Sequence, residues 1–248
     1  MTDLKYLESN VKNKNLLRTA YGNSIYSNLY YADPKNKICF TFTPRAGCSI
    51  VFQQYLDLVG LLNDGLEYNN FIHNYRCDIV DNNINYCNIK KLLNEKYIFI
   101  KFIMNPYIRA VSIFRAHTSH NYSFREYLKK QLDKTIILND NDYFHSFPQY
   151  IDEEEKIITK YIKINENETY QIMLADGNNY TLNVNKYTSF HHGEKQNHCN
   201  FSGDILKDDI NQNLPMSYKC FYDSEIKQMV DILYKYDIEK YGFSFENF

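Results

Sequence analysis

The sequence predicts an α/β fold in three layers: a central, mainly parallel sheet flanked by helices, with a β-hairpin added near residues 170–185. Three observations carry this. The run Ile38-Cys39-Phe40-Thr41-Phe42 is apolar and rich in strand formers, and helical spacing takes over after a loop built on Pro44 and Gly47. The run Tyr97–Met104 (YIFIKFIM) repeats the arrangement, stopping at Asn105-Pro106 before a second helical pattern. Between Tyr170 and Val184, apolar and polar residues alternate on both sides of Asp176-Gly177-Asn178-Asn179, a hairpin signature. Strands feeding helices place a sheet between helical layers.

Along the chain, residues 1–30 are mixed and carry no clear motif, and Asp33-Pro34 breaks the chain before the first strand. The first helical pattern starts at Ser49 and places Ile50, Phe52, Leu56, Val59 and Leu62 near helical spacing. Asn63-Asp64-Gly65 reads as a turn, and Leu66–Asn88 as polar and irregular around Phe71–Arg76 (FIHNYR). Lys90–Glu95 suits a short helix leading into the second strand. After Pro106 the helix runs through Tyr107, Ile108, Val111, Ile113 and Phe114. Ser123-Phe124-Arg125-Glu126 is a capping box opening a helix with Tyr127, Leu128 and Gln131. Asp142–Gln149 reads as an aromatic loop, Lys156–Ile164 as a third β-rich run and Thr188–Gly203 as polar loop. Asp223 or Ser224 caps a last amphipathic helix bearing Ile226, Met229, Val230 and Leu233 and ending near Gly242.

The chain has 248 residues, which suits one fairly large domain or at most two small ones; the simplest reading is a single domain spanning 1–248 with residues 1–33 as an N-terminal extension, long enough to bury a core without staples. A net charge of −2 gives no global basic footprint, so no nucleic-acid partner is expected. The six cysteines form no CxxC pair, which argues against a zinc ribbon or a thioredoxin-type site, and their even count is only weak evidence for disulfides in a chain this long. No apolar run reaches the roughly 20 residues that span a bilayer, and no signal-like core opens the sequence. The expectation is a soluble protein of a reducing, cytoplasmic compartment.

The chemistry concentrates at two places. Strand, tight loop and helix start at Lys37–Leu62 would present backbone N–H groups to an anion, with Arg45 as counter-charge. Arg109, Ser112 and Arg115 share roughly one face near the start of the second helix. His73 lies between the two places and suits a base near neutral pH, with His145 as the alternative. His191, His192, His198 and Cys199 match no standard zinc spacing.

Taken together, these stretches resemble the sulfotransferases that use 3′-phosphoadenosine 5′-phosphosulfate, especially the Golgi-type carbohydrate sulfotransferases and their microbial relatives. Thr43-Pro44-Arg45-Ala46-Gly47-Cys48-Ser49 is similar to their 5′-phosphosulfate loop, and Asn105-Pro106-Tyr107-Ile108-Arg109-Ala110-Val111-Ser112 to their 3′-phosphate motif. FIHNYR, His145 with Pro148-Gln149, and Leu233–Phe243 are also similar to family stretches. The resemblance implies a P-loop-like fold and sulfuryl transfer to an acceptor hydroxyl, on a carbohydrate, with the bisphosphate nucleotide as product and no metal. It implies Arg45, Ala46, Gly47, Cys48, Ser49, Arg109, Ser112 and the late-loop Lys195 as cofactor ligands, and His73, Arg45 or His145 as catalytic groups. Two positions depart: the family's loop Lys is Arg45, and the Arg opening its second motif is Met104. The competing readings are a sulfotransferase-fold protein that only binds glycan or nucleotide, and a P-loop kinase-like phosphotransferase. Against the kinase, the loop lacks the Gly-Lys-Ser/Thr ending of a P-loop.

Overall fold

Ile38–Phe42 forms a strand buried along its whole length, the expected state of an apolar run covered on both faces. It belongs to a computed structural model that describes residues 30–68, 72–80, 89–117, 121–133, 145–151, 154–164, 166, 169–187, 200–210 and 217–246. By its internal contacts the chain forms two units. One holds the described residues up to Ile103 together with those from 154 to 187; the other holds Met104–Ile151 and the residues from 200 onward.

The first unit is built on four strands in the order β1 (Tyr30–Asp33), β2 (Ile38–Phe42), β3 (Ile98–Met104) and β4 (Lys160–Ile164). β2 and β3 are parallel, pairing from Ile38↔Ile98 to Phe42↔Phe102. β1 runs antiparallel to β2, from Tyr30↔Thr41 to Asp33↔Ile38. The sheet is therefore mixed, and β1 is an element the sequence reading omits. The turn Pro34–Lys37 is too short for a crossover, so it reverses the chain. Asp33 holds that turn, accepting from Lys35 N at 2.9 Å and from Asn36 Nδ2 at 2.5 Å.

Lys101 sits in the middle of β3 yet is almost fully buried, because Glu154 pairs with it at 2.5 Å. Removing either partner would strand a charge in the interior. Glu154 opens a helical turn, Glu154–Lys156, so β4 starts later than the Lys156–Ile164 run suggests. Tyr31 stacks on Phe42 and Tyr55 against the inner face of the first helix.

That helix, α1 (Cys48–Leu58), buries Ile50, Val51, Phe52, Tyr55 and Leu56. It ends before the expected Leu62, and the chain turns at Gly60 with φ +76°. α2 (Leu62–Glu67) then runs straight through Asn63-Asp64-Gly65, where a turn is expected. Gly65 faces inward: a Cβ there would lie 2.5 Å from Leu56 Cδ1, so its missing side chain lets α2 approach α1. α3 (Ile72–Tyr75) continues as a wider helical turn, Arg76–Val80, in a stretch read as irregular. Buried Ile72, Tyr75 and Val80 anchor it, a signal masked by surrounding Asn and Asp. α4 (Ile89–Asn94) precedes β3 as expected.

The hairpin is present as β5 (Thr169–Met173) and β6 (Asn179–Asn183), a separate two-stranded sheet turning at Gly177 with φ +82°. It docks on α1 through Asp57, which accepts from Tyr180 Oη at 3.0 Å and Lys186 Nζ at 3.1 Å. Burial works against the Asp57 carboxylate, but hydrogen bonds from Tyr187, Lys186 and Tyr180 outweigh it and hold the group below the ordinary carboxylate range.

The second unit is helical: α5 (Pro106–His117), α6 (Phe124–Leu132), α7 (Ser224–Leu233) and α8 (Lys235–Tyr241). Val111, Phe114, Phe124, Leu128, Phe221, Ile226 and Val230 form its core. The capping box of α6 is complete: Ser123 Oγ accepts from Glu126 N at 3.2 Å, and Glu126 Oε2 accepts from Ser123 N at 3.0 Å. Asp223 caps α7. Arg125 ties α6 to Asp204, Asp223 and Glu225. The expected single last helix is broken at Tyr234, whose ring is buried and whose hydroxyl donates to Ser146 O at 3.1 Å. Cys220 is disulfide-bonded, a state the cysteine count leaves open, whereas Cys39, Cys48 and Cys77 are not bridged. Among the described residues no helix is long and apolar enough to cross a membrane.

Candidate functional site

The turn between β2 and α1 is tight. Ala46 N donates to Thr43 O at 2.9 Å, and Val51 N donates to Gly47 O at 3.0 Å as α1 begins. Two residues of this turn are left-handed: Arg45 at φ +65° and Gly47 at φ +76°. For Gly47 the conformation is free; for Arg45 it costs roughly 1 kcal/mol that the surrounding fold must supply. Gly47 also faces Ile164 of β4: a Cβ would stand 2.4 Å from Ile164 Cδ1, so the tip of that side chain would have to shift.

Gly47 is also the N-cap of α1. No side chain caps the helix, and its first turn contains no acidic residue. The first N–H groups of a helix have no partner within it, and they carry its positive end. Here neither is compensated by the helix's own side chains. Thr43, Ala46 and Ser49 are buried, while Arg45, Gly47 and Cys48 are half-buried. An uncapped helix start favours a small oxyanion, and Arg45 belongs to the same turn, two residues before the N-cap.

His73 reaches the same place from α3. Ile72 is fully buried, and Tyr75 packs edge-on to Tyr68 with ring centroids 5.5 Å apart. These neighbours set the azimuth of the short helix and leave His73 half-buried, with Nε2 at 2.8 Å from Ser49 Oγ. Gln53 Nε2 donates to Ser49 O at 3.1 Å, one turn further along α1. Gln53 is a supporting residue the sequence reading misses; its i+4 spacing from Ser49 is the available signal.

The other predicted residues lie in the helical unit. Arg109 is fully buried on α5, where Nη2 donates to His145 O at 2.8 Å and the guanidinium lies 5.8 Å from the Tyr234 ring centre. His145 is thus joined to Arg109 through its backbone. Ser112 is half-buried one turn further on. Met104 is buried, and its N and O are both bonded to the Gln149 side chain, at 2.8 and 2.7 Å. Asp237, fully buried, accepts from Gln149 N and Tyr150 N, each at 2.7 Å. Backbone groups of His145, Ser146, Gln149 and Tyr150 are thus held by the side chains of Arg109, Tyr234 and Asp237.

The structure brings Ser49 together with His73, and Arg109 together with His145; the two pairs belong to different units. Lys195 lies outside the described residues, as do His191, His192, His198 and Cys199. Among the described residues no group of three His, Cys, Asp or Glu is arranged for a metal ion. Compared with protein-family models, curated proteins and solved structures, the chain matches none.

Proposed function

We propose that the chain is a sulfotransferase that moves a sulfuryl group from 3′-phosphoadenosine 5′-phosphosulfate to an acceptor hydroxyl, on a carbohydrate. The observation that carries this is a histidine nitrogen bonded to a hydroxyl on the first turn of an uncapped helix. A base beside an anion cradle is what sulfuryl transfer to an alcohol needs, and the resemblance of Thr43–Ser49 to the family's 5′-phosphosulfate loop supplies the identity of the donor.

In this reading the α1 N–H groups and Ser49 hold the 5′-phosphosulfate, and Gly47 provides the close backbone approach. The acceptor oxygen attacks sulfur in line, and the bond from sulfur to the bridging oxygen breaks. His73 Nε2 takes the acceptor proton. Arg45 balances charge that grows on the bridging and equatorial oxygens. The carbohydrate acceptor is assigned on resemblance to the family.

Thermal shift separates this reading from its rivals. Binding of 3′-phosphoadenosine 5′-phosphate should raise the melting temperature while ATP with Mg²⁺ does not. A response to ATP with Mg²⁺ alone would favour a phosphotransferase. Response to neither would remove the nucleotide from the proposal.

A further inference from the structure

Ser49 Oγ and His73 Nε2 share one hydrogen bond of 2.8 Å. A serine hydroxyl owns a single proton, and a neutral imidazole offers one lone pair. When Nε2 is the acceptor, the Ser49 proton occupies the lone pair that a base needs. The same hydroxyl stands on the first turn of α1, whose N-terminus has no side-chain cap. An anion drawn to that turn competes for the proton, because a charge-assisted hydrogen bond is roughly twice as strong as a neutral one.

We infer that Ser49 is a positioning residue that sets the state of His73: anion occupancy of the Thr43–Ser49 loop moves the Ser49 proton from His73 Nε2 to the anion, leaving the Nε2 lone pair for the acceptor hydroxyl. The inference rests on the proposed function and adds an order to it, with the nucleotide binding before the acceptor becomes reactive. The moving part is the hydroxyl rotor. Ser49 is buried, and its carbonyl is held by Gln53 Nε2 at 3.1 Å, so the backbone stays in place. No covalent bond forms or breaks in the switch.

The test is ¹⁵N NMR of the histidine-labelled full chain, with the His73 signals assigned by their loss in His73→Gln. On titration with 3′-phosphoadenosine 5′-phosphate, the wild-type Nε2 resonance should move downfield as it loses a hydrogen-bond donor. In Ser49→Ala it should start at the released position and stay there. Nucleotide affinity should fall about tenfold, the usual effect of losing one hydrogen bond. Ser49→Thr keeps a hydroxyl and should restore the nucleotide-dependent shift. Two results overturn the inference while leaving the sulfotransferase reading intact: a wild-type protein whose melting temperature rises with nucleotide but whose Nε2 does not move, or a Ser49→Ala protein that keeps the full movement. Absence of any nucleotide effect on melting temperature overturns both.

Discussion

Ser49 Oγ lies 2.8 Å from His73 Nε2 although the two residues are 24 positions apart and sit on different helices. The contact joins the two chemical roles that the sequence assigns separately, anion binding and proton acceptance. It is made by Nε2, the ring nitrogen to which the proposed function gives the acceptor proton.

His73→Gln preserves much of the side-chain volume and a hydrogen-bonding group for Ser49 but removes the base. Sulfuryl transfer should fall by about 10²- to 10⁴-fold, the usual span for general-base removal. Binding of the bisphosphate nucleotide should change little, because Arg45 and the α1 N–H groups remain. Transfer rates at saturating donor, alongside nucleotide thermal shifts, check both halves. Transfer at the wild-type rate would move the base elsewhere.

How much of this site the sequence discloses depends on the range of the interaction involved. The loop Thr43–Ser49 and its helix are local: Gly47 marks the left-handed turn, and the apolar spacing that follows marks α1. The partnership with His73 is not local. It depends on α2 and α3, which the sequence hides behind an Asn-Asp-Gly turn signal and a polar stretch. Their helicity comes from tertiary packing, of Gly65 on Leu56 and of Ile72 and Tyr75 in the interior. Propensity alone gives way to such packing. β1 escapes for a related reason, since Tyr30–Asp33 is short and gains its order from pairing with β2. The capping box at Ser123 and the 176–179 turn are legible because each is set by side chains within a few residues.

Asp57 should make the hairpin acid-sensitive. Its carboxyl is held below the ordinary range in the folded chain, by hydrogen bonds that overcome its burial. A depressed folded value means that the group stabilises the fold above the ordinary carboxylate pKa of about 3.9, and that this contribution is lost as pH falls through the folded value. Urea midpoints should therefore drop below about pH 4, and less steeply in Asp57→Asn. At pH 7 that variant should lose about 1 kcal/mol, allowing for solvent screening of a partly exposed site. A wild-type acid slope unchanged in the variant would place the titration elsewhere.

Gln149 is fully buried and its side chain is hydrogen-bonded at both ends. Its amide bonds both backbone groups of Met104, and Nε2 also lies 3.4 Å from Asp237 Oδ2. Gln149→Ala leaves a buried N–H and a buried carbonyl without these bonds, a loss of roughly 3 kcal/mol in denaturant unfolding. Gln149→Glu should cost more than the alanine change, because it replaces the donor with a carboxylate beside the buried Asp237. The reverse order would mean that the segment is held mainly by packing.

Arg45 offers the sharpest separation of stability from function. Its backbone is at φ +65°, a region that disfavours any side chain bearing a Cβ. Strain of this kind persists at sites where the position of the residue is used. Glycine relieves it, so Arg45→Gly should raise unfolding stability by roughly 0.5–1 kcal/mol, less a share for greater freedom of the unfolded chain. The same substitution removes the cation of the loop that leads into α1, and nucleotide affinity should fall about tenfold or more. Arg45→Lys keeps the charge but not the planar fork, so its affinity should lie between the two, with the wild-type strain retained. Denaturant unfolding and nucleotide titration on the three proteins give two independent axes. A glycine variant that is stabilised and still binds as tightly as the wild type would show the Arg45 side chain to be a bystander in the loop. One that is destabilised would show that its packing outweighs the backbone strain.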